Sequence, residues 1–190
     1  FSDLPDGCGE QIASKFIMAV MTYDYLRYTN NLPAMNDAKI NINKLYQHLI
    51  TKFHDDGSYD LWGTKANDKY TRQKTTSVWL TAYVTQILIR AMQRDVIKKD
   101  RKLISNSLKY LNSKMNSDGS FTDDGYSKNP NKGFPKESTY YTTAFVLNAF
   151  VSFKELFNLA DYDDVIKHGI NYTNLKLNGF DDFSTAVVIN

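Results

Sequence analysis

Cysteine is nearly absent from this sequence of 190 residues, which contains a single cysteine, Cys8. One cysteine cannot form an internal disulfide, which weakly favours a reducing, cytosolic compartment. Long apolar runs are also missing, and none approaches the roughly 20 residues that a membrane-spanning helix requires. Together with a hydrophobic content of 42%, these absences predict a soluble globular protein without a membrane span.

An excess of positive charge is missing as well. The 23 lysines and arginines are balanced by 21 acidic residues, and both signs are scattered along the chain. A nucleic-acid-binding protein usually presents a basic patch or stripe. Nucleic acid is therefore not an expected partner.

The two ends of the sequence lack the usual boundary signals. The chain starts at Phe1, without an initiator Met or a signal segment, and stops in the apolar run FSTAVVIN without a helix cap. We expect a piece of a longer polypeptide, in which residues 1–190 form one partial domain. The sequon Asn171-Tyr172-Thr173 is either a candidate N-glycosylation site or a chance match.

A repeat of about 60 residues organises the chain. The turn sequences DDGSYDLW and SDGSFTDD place Gly57 and Gly119 62 residues apart, and the weaker copy LNGFDDF places Gly179 60 residues further on. A second patch follows each glycine: VWLTAYV around Ala82, YYTTAFV around Ala144, and FSTAVV near the end. The intervals Gly57–Ala82 and Gly119–Ala144 both span 25 residues, which predicts a repeated structural unit.

The hydrophobic spacing within each unit is helical. Residues 42–53, 103–115 and 162–170 are apolar on one face, as in amphipathic helices, whereas 76–92 and 139–157 are apolar on nearly every side. Half-buried and fully buried helices therefore alternate, joined by polar loops of about 20 residues. This pattern predicts an all-α fold, an α/α toroid of helical hairpins, with a plain helical solenoid as the alternative.

Cys8 lies in the stretch LPDGCGEQIASKF, a turn before a predicted helix with apolar positions at Ile12, Phe16, Val20 and Tyr23. The first interpretation makes Cys8 a small apolar residue of the core. The second makes it a catalytic thiolate at a helix N-terminus. That thiolate needs a histidine as its base, and the candidates, none in an obvious motif, are His48, His54 and His168.

A third interpretation treats Cys8 and Gln11 as one chemical unit. The thiolate attacks the side-chain carbonyl of Gln11, expels ammonia and closes a small ring through a thioester. Gly9 supplies the permissive backbone that the tight turn needs, and Glu10 continues the turn. Because a thiolate is a good leaving group, an amine or hydroxyl that reaches the carbonyl can take the acyl group.

A metal site is a further alternative, at His54, Asp55, Asp56 and Asp60. The glycine turn already accounts for these acids, and His54 beside them is expected in a solvated loop. We therefore expect no metal and no other cofactor.

The residues GCGEQ, from Gly7 to Gln11, are identified as the thioester signature of the complement and α-macroglobulin superfamily. The segments VWLTAYV and TTAFVLNAF resemble parts of that family's thioester domain in the same order, so the resemblance extends thinly over nearly the whole chain. It implies a toroid of six helix pairs, of which this chain forms a truncated part. It also implies a thioester between Cys8 and Gln11, with Gly7, Gly9 and Glu10 shaping the ring.

The resemblance also implies a biological setting. In the family, a protease cleaves the parent protein, the thioester domain leaves a protected interface, and the glutamine acylates a nearby surface or a trapped protease. The implied partners are an activating protease, an amine- or hydroxyl-bearing target and other domains of the parent. Secretion and single-turnover acyl transfer, rather than enzyme turnover, follow from the same resemblance. A domain separated from its protected interface is not expected to keep the thioester.

Two departures from the family pattern stand out. Ile12-Ala13 replaces the usual Asn-Met after the signature. Asn129 occupies the position where the hydroxyl-reactive branch of the family has a histidine, if the segment after DGSF is aligned without a gap. An amide cannot act as nucleophile or base at neutral pH, so this substitution predicts direct transfer to amines. Alternatively, Asn129 is a turn residue before Pro130 and the alignment is shifted.

Two other functions remain open. One is a toroid in which the thioester never forms and whose surface serves as a structural or receptor-binding module. The other is a hydrolase or cyclase built on the same ring, although no metal-ligand set or acidic motif repeats along the chain.

Overall fold

The computed structural model describes residues 7–60, 76–123 and 138–176, and most of them lie in α-helices. The helices are α1 (Gly9–Tyr28), α2 (Leu32–Ile50), α3 (Val78–Gln93), α4 (Arg101–Asn112), α5 (Ser138–Phe157) and α6 (Asp163–Lys176). Strand pairing within these ranges is limited to isolated bridges. The predicted all-α class is confirmed.

Consecutive helices pair as hairpins: α1 with α2, α3 with α4, and α5 with α6. The first helix of each hairpin also packs on the first helix of the next, so that α3 lies between α1 and α5. We call α1, α3 and α5 the inner helices and α2, α4 and α6 the outer helices. The hairpins therefore stand side by side, as the alternation of apolar and amphipathic segments predicts.

Burial differs between inner and outer helices in the predicted way. The segments 76–92 and 139–157 correspond to α3 and α5, which are buried on most sides. The outer helix α2 buries one face through Ile42, Leu45 and Leu49. Apolar side chains from both kinds of helix form one continuous core.

The bounds of α2 differ most from the prediction of 42–53. The helix begins ten residues earlier, where the Asn31 side chain accepts a hydrogen bond from a backbone N–H of the first turn. Pro33 also lies in that first turn, where its missing N–H is not needed. At the other end, Phe53 is no longer helical and pairs with Tyr59 across the glycine turn.

The glycine turns are held against the next outer helix. Gly57 and Gly119 have φ values of +90° and +86°, in the region that favours glycine. A Cβ at Gly57 would lie 2.1 Å from the carbonyl oxygen of Asn106 in α4, and one at Gly119 would lie 2.5 Å from that of His168 in α6. The repeat is thus confirmed for these two units, while the third copy, at Gly179, lies outside the described residues.

Each turn is closed by an aspartate. The Asp56 carboxylate accepts hydrogen bonds from the backbone N–H and the hydroxyl of Ser58, at 3.1 and 2.6 Å. Asp118 makes the same pair of bonds to Ser120, at 3.0 and 2.7 Å. These aspartates therefore stabilise the turns, as the sequence predicts.

His54 beside the first turn is not solvated, so the prediction of a solvated loop is wrong for this residue. Its side chain is 15% exposed, and its Nε2 lies 3.4 Å from an oxygen of Asp60. The reason is the bridge at Phe53, which folds the chain back over the core and carries the neighbouring His54 with it.

The inner helices α1 and α3 run in the same direction. Asp24, near the carboxyl end of α1, accepts a hydrogen bond at 2.8 Å from the guanidinium of Arg94, the residue that ends α3. Arg90 approaches the same carboxylate at 3.8 Å. Both partners of this ion pair lie near the carboxyl ends of their helices. The amino ends of α1 and α3 therefore also lie together, at the opposite end of the molecule.

The helices α3 and α5 are parallel too. Trp79, in the first turn of α3, stacks on Phe145 with ring centroids 5.8 Å apart. Two turns later, the Gln86 side chain accepts a hydrogen bond from Asn148 at 3.1 Å. The amino ends of all three inner helices therefore gather at one end, which we call the amino face.

Replacing either turn glycine by alanine tests the role of these turns. Because a Cβ at Gly57 or Gly119 meets helix backbone and the φ values are positive, each change should reduce the free energy of unfolding by about 2–4 kcal/mol. Urea denaturation followed by circular dichroism measures the loss. Gly169→Ala is the matched control, since the three atoms nearest its Cβ all belong to the side chain of Leu147 rather than to backbone. An equal loss in all three variants would contradict this account.

Candidate functional site

Cys8 is the N-cap of α1. Its backbone is extended, with φ −65° and ψ 163°, and the helix begins at Gly9 directly after it. Glu10 lies in the first turn, where a negative charge interacts favourably with the helix dipole. The predicted helix start at GCGEQ therefore sets the geometry of the site.

The first turn of α1 brings Cys8 and Gln11 together. The side-chain carbonyl oxygen of Gln11 accepts a hydrogen bond from the backbone N–H of Cys8 at 3.2 Å. In return, the Cys8 side chain faces the backbone N–H of Gln11, which is the reciprocal arrangement of a capping box with sulfur in place of a hydroxyl. Each of the two predicted reactive side chains thus meets the backbone of the other residue across the first helical turn.

Gly7 leaves the space in which the Gln11 side chain lies. A Cβ at Gly7 would be 3.1 Å from the Gln11 side-chain oxygen and 3.2 Å from its Cβ. Both contacts are tighter than ordinary van der Waals contact. The glycine before the cysteine therefore contributes room for the amide as well as turn flexibility.

The site lies at the surface, directly above buried residues of the core. Cys8 is a half-buried free cysteine, and Gln11 is exposed. The next residues, Ile12 and Ala13, are buried in the core, as is Phe16 one turn later. Cys8 is thus not the core residue of the first interpretation, and the departure Ile12-Ala13 is accommodated by core packing beneath the turn.

A second polar group lies on the amino face, at the start of α3. The Asp123 carboxylate accepts hydrogen bonds from the backbone N–H groups of Val78 and Trp79, at 3.3 and 2.9 Å, and from the hydroxyl of Ser77. Its partners lie 44–46 residues away in sequence. Sequence reasoning missed Asp123, because no local spacing connects it to the helix that it caps.

Asn129, the predicted determinant of acceptor chemistry, lies outside the described residues. The described residues on either side of it are Asp123, bound to the start of α3, and Ser138, the first residue of α5. Both helix starts belong to the amino face, on which Cys8 also lies. The last described residue before Asn129 and the first one after it therefore both lie on the amino face.

The glycosylation candidate Asn171 is exposed on α6. The threonine of its sequon, Thr173, is 3% exposed, and its hydroxyl donates to the carbonyl of Ile170 at 2.9 Å. Asn171 stays a prediction.

Among the described residues, no group of three or more histidine, cysteine, aspartate or glutamate side chains is placed to hold a metal ion. No helix in the part of the chain that the structure describes is both long and apolar enough to cross a membrane.

The sequence of residues 1–188 matches the family of the A-macroglobulin TED domain. The match covers nearly the whole chain, so the chain belongs to this family, whose domain is a helical toroid. The resemblance inferred from GCGEQ and the predicted toroid class are confirmed.

The chain is similar to parts of much longer proteins. The chain is 27% identical over 183 residues to thioester-containing protein 1 allele S3 of Anopheles gambiae, covering 92% of this chain and 12% of that protein. It is 26% identical over 193 residues to complement C3 of Eptatretus burgeri, covering 97% of this chain and 11% of that protein. The chain therefore spans about an eighth of the length of these relatives.

Gly7→Ala tests the packing of the site. The added methyl group should displace the Gln11 side chain and break its hydrogen bond to Cys8, so that the Cys8 amide exchanges with solvent about tenfold faster. Amide hydrogen exchange followed by NMR measures this rate. Gln11→Ala gives the rate for complete loss of the bond, and Ser14→Ala, on the exposed side of α1, should leave it unchanged. An unaltered rate in Gly7→Ala would show that the glycine has another role.

Proposed function

We propose that this chain is the thioester domain of a protein that attaches covalently to its targets through Cys8 and Gln11. In the first reaction, the Cys8 sulfur bonds to the side-chain carbonyl carbon of Gln11 and the carbon–nitrogen bond of the amide breaks. The nitrogen takes up the proton that the thiol gives away and leaves as ammonia. The observation that carries this proposal is that the side chains of Cys8 and Gln11 each meet the backbone N–H of the other residue across one turn, in a chain of the TED family.

The second reaction is the transfer itself. An amine or hydroxyl of the target attacks the thioester carbonyl, the carbon–sulfur bond breaks, and Cys8 takes up the proton as a free thiol. Gln11 is then an amide or ester of the target and cannot react again. The chemistry is acyl transfer with a single turnover, so the chain is not an enzyme in the ordinary sense.

The partners follow from the family and from the chain's share of its relatives. A protein of this type needs a protease that activates it, a target surface or trapped protease that accepts the acyl group, and other domains of its own polypeptide. We propose that it acts outside the cell in innate immunity or protease trapping, since relatives include a complement C3 and a thioester-containing protein.

The exposure of Gln11 bears on the stability of the thioester. Because Gln11 is exposed and Cys8 only half-buried, water can reach the bond in this chain alone. The isolated chain should therefore hydrolyse its thioester, and protection must come from another part of the protein. The same observation also fits the second candidate function, a toroid in which no thioester forms and whose surface alone binds partners.

The mass of the freshly purified full-length protein distinguishes these two functions. A thioester lowers the mass by about 17 Da through loss of ammonia, and methylamine should then add to Gln11 while exposing one thiol. Cys8→Ala is the control and should show neither change. An unmodified mass together with immediate labelling of Cys8 by a thiol reagent would rule out the resting thioester.

Asn129→His tests the preference for amines that the sequence predicts from Asn129. An imidazole at this position can take the acyl group from Cys8 and pass it to a hydroxyl, so transfer to glycerol should rise by about tenfold or more over the unsubstituted protein. The assay is glycerol incorporation into activated full-length protein. Asn131→His, two residues further on, controls for histidine elsewhere in the segment. A rise in neither variant would contradict the assignment of Asn129.

A further inference from the structure

Asn171 begins the sequence Asn171-Tyr172-Thr173, which has the form that accepts an N-linked glycan. No other asparagine of the chain is followed two residues later by serine or threonine with a residue other than proline between them. Any N-linked glycan on these 190 residues would therefore be attached at Asn171. This position is distinct from the reactive turn at Cys8 and Gln11.

Only the acceptor residue of this sequon is fully exposed. Asn171 lies on the exposed side of α6, whereas Tyr172 is half-buried. Thr173 is 3% exposed, and its hydroxyl donates to the carbonyl of Ile170 at 2.9 Å. An N-linked glycan is bulky and hydrophilic and has to stay on the surface. The fold can therefore carry a glycan on Asn171 without disturbing the packing of the two residues that follow it.

The surroundings of Asn171 on α6 are mostly polar. Lys167 and His168 lie one turn before it and Asn174 lies one turn after it, and all three are exposed. Residues at these spacings lie on the same side of a helix. Leu175, which is 81% exposed, is the apolar exception. This side of α6 therefore has the composition of a surface in contact with water.

We propose that Asn171 carries an N-linked glycan and that the exposed side of α6 consequently faces solvent in the full-length protein. The proposal rests on the extracellular setting proposed above, because this modification takes place on secreted chains. It goes beyond that setting, since it assigns a covalent modification and excludes one side of the domain from contact with the rest of the polypeptide.

The reaction uses an oligosaccharide that is linked to a lipid through pyrophosphate. The side-chain nitrogen of Asn171 bonds to the anomeric carbon of the first sugar, and the bond between that carbon and the pyrophosphate oxygen breaks. The nitrogen gives up one proton, and the lipid pyrophosphate leaves with the electron pair of the broken bond.

The glycan would lie beside the amino face without covering the reactive turn. Gly119 packs against the carbonyl of His168, three residues before Asn171, and its turn is bonded to Thr143 near the start of α5. Asn171 therefore lies towards the end of α6 that is near the amino face. Within the described ranges, α3 and α5 separate α6 from α1, which carries Cys8, and neighbouring helix axes are about 8–10 Å apart. A domain that covers Cys8 therefore has to reach it from a direction other than across α6.

Peptide mass spectrometry of the full-length protein, secreted from eukaryotic cells, tests the modification. Peptide N-glycosidase converts a glycosylated asparagine to aspartate as it releases the sugar. The peptide that contains Asn171 should carry an oligosaccharide, and it should contain aspartate after release. Secreted protein with an unmodified Asn171 would overturn the proposal and leave the proposed function intact. Protein that stays in the cytosol with an unmodified Asn171 would overturn both the glycan and the extracellular setting, whereas the thioester at Cys8 is tested independently by mass.

Matched variants of the full-length protein identify the attached residue. Asn171→Gln should lose the glycan, and Asn174→Gln, on the exposed side of the same helix but outside the sequon, should keep it. Thr173→Ser retains the hydroxyl that the sequon requires and should also keep the glycan, whereas Thr173→Val should lose it. A glycan that persists in Asn171→Gln, or that disappears in Asn174→Gln, would contradict the assignment.

Enzymatic release under native conditions tests whether the exposed side of α6 faces solvent. The glycosidase has to reach the bond between the sugar and Asn171, so native full-length protein should lose this glycan completely. Release that occurs only after denaturation would mean that another part of the protein covers α6, and the inference about this surface would then be wrong.

Discussion

The fold depends on a hydrogen bond between the residue after each glycine turn and a hydroxyl inside the next inner helix. The backbone N–H of Tyr59 donates to Thr81, and that of Phe121 donates to Thr143, at 3.0 and 2.9 Å across 22 residues of sequence. Both threonines are buried, so loss of either bond would leave a buried polar group unsatisfied. The glycine of each turn also contacts the backbone of the next outer helix. Each turn therefore positions three helices: the outer helix that precedes it, the next inner helix and the next outer helix.

The first turn of α1 is likewise held by a small set of contacts, those between Cys8 and Gln11. A helix start normally leaves backbone N–H groups without partners, and in α1 the Cys8 and Gln11 side chains provide them. The contacts that cap the helix thus also hold Cys8 and Gln11 beside each other within one helical turn. The core residues beneath it, such as Phe16, hold the turn in place, while Gln11 on its outer side is exposed.

The sequence predicted the features that depend on a short stretch of neighbouring residues. The inner helices α3 and α5 were visible because burial on most sides requires apolar residues on most sides. Gly57 and Gly119 were visible because their conformation requires glycine. The start of α2 was missed, since residues 32–41 are largely exposed and show no apolar period. Asp123 was missed because it caps a helix that begins 45 residues earlier in the chain. His54 was misjudged because its burial depends on chain reversal rather than on its neighbours in sequence.

The parallel course of the inner helices has an electrostatic consequence. Peptide dipoles add along a helix, so each amino end carries a partial positive charge of roughly half a unit. Alignment of α1, α3 and α5 places these charges at one end of the molecule, and the Asp123 carboxylate neutralises that of α3. In the reaction proposed for Cys8 and Gln11, the side-chain oxygen of Gln11 becomes negative while sulfur and acceptor are both bonded to its carbon, and the field at the start of α1 would stabilise that charge.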